Sequence, residues 1–156
     1  MMSPMDNETL NISYNNGKGR MTIYLYEFLR YSGLRNIRKL IKLIKSSDTP
    51  DELEKLHNYL QQQLSTIEPR MKELANKGVN ARTKYRELEP ELQKLIYERE
   101  RYRKSDDRYK ALMIRVKEKR EEIRHYKAVY SSTLSDFNAL NRDKEKFNKL
   151  AKEILP

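Results

Sequence analysis

Counting by seven from Leu88 reaches Leu95, Tyr102, Tyr109, Val116, Ile123, Tyr130 and Phe137, a column that is apolar or aromatic at every position. Such a column predicts a long helix burying one seam against another helix. The companion column at the four-residue offset is Leu92, Arg99, Asp106, Met113, Arg120, Lys127 and Leu134, and four of those seven are charged. The pattern therefore predicts a seam that is wet over part of its length and leaves basic side chains free, rather than a dry two-stranded zipper.

The same periodicity divides the rest of the chain. Leu10, Ile12 and Tyr14 alternate with polar residues, Asn15-Asn16-Gly17-Lys18-Gly19 supplies residues that tolerate positive φ, and Met21, Ile23 and Leu25 alternate again. A short hairpin fits this. So does a helix starting at Thr22 that buries Leu25, Phe28 and Leu29 and stops near Gly33, because short apolar runs do not separate the two periods. Over residues 34 to 45 the period is helical: Leu34, Ile37, Ile41 and Ile44 share one face and Arg35, Arg38, Lys42 and Lys45 another.

Thr49-Pro50-Asp51-Glu52 reads as an N-cap, a first-turn proline and the glutamate of a capping box. Leu53, Leu56, Leu60, Leu64, Ile67, Met71 and Leu74 then extend a stripe toward Gly78, which reads as a helix stop, with a kink at Pro69. A second helical region is expected from about residue 80 to 155. The column survives Ser105-Asp106-Asp107 and Ser131-Ser132, which favours one helix from about 91 to 130 and a return helix over 134 to 155. Since Leu53, Leu60, Ile67, Leu74 and Ala81 share that column across Gly78, phase can also be kept by accident.

The expected fold is all-α, with room for a small N-terminal β-hairpin: a helical bundle with a long antiparallel coiled-coil hairpin. The expected division is an N-terminal basic segment over 1 to 48 and a helical hairpin over 49 to 156.

Composition agrees with long helices and a thin core: 36% of residues are charged and 37% hydrophobic, with 4 Gly and no Trp. Without a cysteine there is no disulfide or thiolate chemistry. No apolar run is long enough to span a membrane, and Met1 to Asp6 lack a leader's pattern, so a cytoplasmic location is expected.

The net charge of +10 bears on partners rather than fold. It sits in two places: residues 18 to 45 hold eight basic and one acidic side chain, and residues 79 to 130 hold sixteen and ten. Phosphate contact needs long cationic side chains on one exposed face, which Arg35, Arg38, Lys39, Lys42 and Lys45 supply at helical spacing. The solvated face of an ordinary amphipathic helix has the same look. Arg99, Arg101, Arg103, Lys104 and Arg108 form a second cluster, in which neighbouring carboxylates allow i,i+4 pairing such as Glu100 with Lys104. Eleven tyrosines suggest stacking platforms, although Tyr97, Tyr102, Tyr109 and Tyr130 fall on or beside the column and read as packing.

No catalytic constellation, metal site or cofactor is expected. His57 and His125 stand far apart, the single Glu122-x-x-His125 is half of a di-iron motif, and Gly17-Lys18-Gly19 lacks the spacer of a phosphate loop. The expected partners are RNA, DNA or a nucleoprotein, with self-association through the coiled coil as a further option and no membrane.

The run Asn16-Gly17-Lys18-Gly19-Arg20-Met21-Thr22-Ile23-Tyr24, leading into a helix rich in Lys and Ile, resembles the start of small accessory proteins of phages and plasmids from low-GC bacteria, a group that includes anti-CRISPR proteins. The likeness covers residues 1 to 45. It implies an inhibitor that docks on a Cas nuclease or its guide RNA. Because this chain is basic, the implied mode is contact with RNA, DNA or an acidic protein face rather than imitation of DNA. A coiled-coil scaffold acting through protein contacts is the remaining alternative.

Overall fold

A computed structural model describes residues 7 to 154. The segment from Met1 to Asp6 and Leu155, on which expectations about a leader and the last helix bear, lie outside them. The elements run β1 (Thr9–Tyr14), β2 (Gly19–Tyr24), α1 (Leu25–Tyr31), α2 (Leu34–Ser46), α3 (Glu52–Arg99) and α4 (Asp107–Ile154). Among the described residues the secondary structure is four helices and one two-stranded antiparallel hairpin, and the two long helices pack against each other. By contact density the chain forms two units, Met1–Glu68 with Arg142–Pro156 and Pro69–Asn141.

In the first unit the hairpin forms as far as Tyr24, and the helix expected from Thr22 begins instead at Leu25, burying Leu25 and Leu29 and ending at Tyr31 before Gly33. Thr9 pairs with Tyr24 and Tyr14 with Gly19, around a turn in which Asn15, Asn16 and Gly17 all take positive φ. Three such residues in succession are what Asn and Gly permit. The strand period puts Leu10 and Ile12 in the core with Met21 and Ile23 half-buried beside them. A Cβ at Gly19 would run into the Tyr14 ring across the hairpin, so a side chain there would force that ring to move.

The expected capping box does not form. Thr49 Oγ1 instead accepts the Ser13 amide at 3.2 Å and a Glu52 carboxylate oxygen accepts the Asn11 amide at 2.8 Å. The free edge of β1 competes for these acceptors and takes them, which satisfies donors that an unpaired strand edge would otherwise leave open. Asp48 joins in, accepting the Gly17 amide at 2.9 Å. The core is completed by Leu25, Leu29, Leu56, Tyr59, Leu60, Leu150 and Ile154, while Lys146 donates to the carbonyls of Leu29 and Ser32 at the end of α1.

In the second unit three expectations are overturned. Gly78 does not stop a helix, since α3 runs from Glu52 to Arg99 through Pro69, Gly78 and Pro90. There is no single helix over 91 to 130, because the chain reverses in residues 100 to 106. There is no separate return helix either: α4 is unbroken from Asp107 to Ile154. The paired residues fix the direction, for Arg99 meets Met113, Glu91 meets Lys119, Glu89 meets Lys127 and Tyr85 meets Tyr130. Positions fall along α3 as they rise along α4, which is the antiparallel hairpin.

The reason the column misled is arithmetical. The reversal, between Arg99 and Asp107, occupies one heptad of residues, so counting by seven steps over it without losing phase. The companion column does change. On α3 it follows four residues after the first, through Leu92 and Arg99; on α4 it follows three residues after, through Leu112, Lys119, Tyr126, Thr133 and Leu140. Those residues are buried or half-buried, whereas Met113, Arg120, Lys127 and Leu134 are exposed. On α4 the seam is therefore drier than expected, with Lys119 as its charge, held by Glu91 at 3.1 Å.

Candidate polyanion-binding face

Local signals alone do not account for α2. It begins on Gly33 with no side-chain cap, carries no acidic residue in its first turn and has Arg35 near the positive end of its dipole. Its stability comes from packing: Ile37, Leu40, Ile41 and Ile44 are buried, each contributing roughly 1.5–3 kcal/mol of transfer free energy. The consequence is a fixed orientation. With the apolar side in the core, Arg35, Arg38, Lys39, Lys42 and Lys45 all lie exposed, and the helix has no carboxylate of its own.

These five cations are not equivalent. The Arg38 guanidinium meets the Glu153 carboxylate through Nε at 3.1 and 3.0 Å and through Nη2 at 2.7 Å. That hydrogen bonding, reinforced by charge, holds the Glu153 carboxyl below the usual range and raises Arg38 further. The charge of Lys149, four positions before Glu153 on α4, lowers Glu153 further. Sequence reasoning missed Glu153 because only the fold brings residue 153 to residue 38. Among the described residues, Arg35, Lys39, Lys42 and Lys45 meet no carboxylate at ion-pair distance. Tyr31, 77% exposed, lies three positions before α2, and Arg30 sits 5.6 Å from its ring centre and 5.7 Å from that of Tyr26.

The second predicted cluster lies at the hairpin reversal, and the structure divides it. Arg99 is largely buried in the seam, bonding the Met113 sulfur at 3.3 Å and Glu100 at 3.0 Å and lying 5.7 Å from the Tyr109 ring centre. Its Nε is buried without a partner. Arg108 stacks 4.5 Å from the Tyr102 ring centre and pairs with Asp106 at 2.9 Å. Asp106 also accepts the Arg108 amide at 2.8 Å, so it caps α4, and these bonds lower its pKa. Arg101, Arg103 and Lys104 are exposed. The expected Glu100–Lys104 pair is absent because helix geometry ends at Arg99, and Glu100 turns back to it. Tyr97, expected to pack, is 72% exposed.

Among the described residues no three His, Cys, Asp or Glu side chains gather as a metal cluster, and no helix is long and apolar enough to cross a membrane. Compared with protein-family models, curated proteins and solved structures, the chain matches none. The functional reading of these surfaces accordingly rests on the chain's own geometry.

Proposed function

We propose that this protein binds the phosphate backbone of a nucleic acid, free or within a nucleoprotein, through the basic face of α2. The observation that carries the reading is the commitment of α2's apolar side to the core. An amphipathic helix whose apolar face is buried cannot insert that face into a lipid surface or a partner's groove. What it offers is its cations, four of them without carboxylate partners among the described residues. Arg101, Arg103 and Lys104 form a second contact of the same kind. Exposed Tyr31 adds a ring on which a base can stack.

Contact of this type positions without reading sequence. Affinity for labelled RNA and DNA oligonucleotides should fall steeply with salt, by about 0.7 to 0.9 in the log-log slope per phosphate neutralised. Reversal of Arg35, Lys39, Lys42 and Lys45 to Glu should abolish it. Unchanged affinity in that variant, or none at low salt in the parent, rejects the proposal.

A further inference from the structure

On α4 the exposed residues Met113, Arg120, Lys127 and Leu134 form one heptad column along a single flank of the Pro69–Asn141 unit. Two recesses open on that flank. One, of about 510 Å³, is lined by Met113, Ile114 and Val116 together with Arg99, Lys117, Arg120, Glu121 and Arg124. The other, of about 220 Å³, lies around Gly78 and is walled by Val79, Leu134 and Phe137, with Arg82 at its edge. Met113, Ile114, Val79 and Leu134 are 43%, 61%, 62% and 46% exposed, which is much apolar surface for a chain so rich in charge. Met113 and Leu134 are about 31 Å apart at 1.5 Å per residue. Between the recesses Lys127 is neutralised by Glu89 at 3.3 Å.

We infer that this flank is a docking surface for an acidic amphipathic helix of a partner protein, which would lie along the hairpin as a third helix. Two apolar recesses about six helical turns apart suit two apolar anchors on one helix face. The charges around them select the sign of the partner: Lys117, Arg120 and Arg124 against Glu121 at the first recess, where Arg99 is already paired with Glu100, and Arg82 at the second. A second copy of this chain would bring cations to cations, which disfavours self-association here. A phosphate backbone would use the rim cations and leave the exposed Met113, Ile114, Val79 and Leu134 side chains uncovered. The surface is thus distinct from the α2 face and does not depend on nucleic-acid binding.

The test uses the full chain and three synthetic peptides of about 21 residues: an amphipathic helix with leucines on one face and glutamates elsewhere, a scramble of it, and a version with lysines for glutamates. The first should bind and shift the methyl resonances of Met113, Ile114, Val79 and Leu134. The other two should bind at least about tenfold more weakly. Substitution of Met113→Glu with Leu134→Glu, both on the surface, should weaken the first peptide by about tenfold or more and leave RNA affinity unchanged. Equal binding of the scramble, shifts elsewhere, displacement of the peptide by RNA, or dimerisation of the free protein through these methyls would each overturn the inference.

Discussion

Arg38 and Glu153, 115 positions apart, form a two-pronged ion pair at 2.7 to 3.1 Å that ties α2 to the last turns of α4. It fastens one of the five cations of the candidate face and cancels its charge. Glu153→Gln should therefore strengthen polyanion binding and steepen its salt dependence, while Arg38→Ala should weaken binding less than Lys42→Ala. Fluorescence anisotropy over a salt series measures both.

The same pair sets a pH dependence. The carboxyl of Glu153 is held below its ordinary range by the hydrogen bond and charge of Arg38, so its folded pKa lies under its unfolded one. A lowered pKa contributes stability above the unfolded value, and this is lost as pH falls through the folded value. Asp106, lowered chiefly by its hydrogen bonds to Arg108, acts with the same sign. Urea midpoints measured from neutral to acidic pH should fall for the parent, and less for the Glu153→Gln, Asp106→Asn double variant.

Among the exposed cations of α2, single replacements should behave alike. Lys39→Ala, Lys42→Ala and Lys45→Ala should each reduce the salt slope by about 1 and weaken all sequences evenly. A base-specific loss in one of them would contradict backbone contact.

The seam of the hairpin can be told from its flank by adjacent residues. Leu112 is 7% exposed beside Leu95 and Val116, whereas Met113 is 43% exposed. Leu112→Ala should cost about 2–5 kcal/mol. Met113→Ala should cost less, about 0.5–1.5 kcal/mol, through loss of the Arg99 hydrogen bond to its sulfur. Equilibrium denaturation of the two variants compares them directly.

Gly78 is a helix-interior glycine whose added Cβ would stand 3.0 Å from Thr133 Oγ1, and that hydroxyl is held by the Tyr130 carbonyl at 2.9 Å. Gly78→Ala should therefore gain nothing alone. In a Thr133→Ala background it should stabilise by about 0.5–1 kcal/mol, as helix propensity dictates. A double-mutant cycle should give a coupling of about 0.5–3 kcal/mol.

Periodicity by itself determined that this is a helical protein with a long antiparallel hairpin, that residues 34 to 45 form an amphipathic helix, and that the cations concentrate on that helix and around residues 99 to 108. These follow from local chemistry, because apolar spacing selects which side a helix buries. Tertiary structure alone decided where the chain reverses. A loop one heptad long preserves phase in the count while reversing direction in space, and only packing against α3 shows that Leu112 enters the seam in place of Met113. Tertiary structure likewise set the boundary between hairpin and helix at Tyr24 and Leu25, since Thr49 and Glu52 supply acceptors to the edge of β1 from 36 and 41 positions away. It also sorted the cations. Arg38 met Glu153 from 115 positions away and Arg99 entered the seam against Met113, contacts that no spacing in the chain expresses, while Arg108 closed locally onto Asp106.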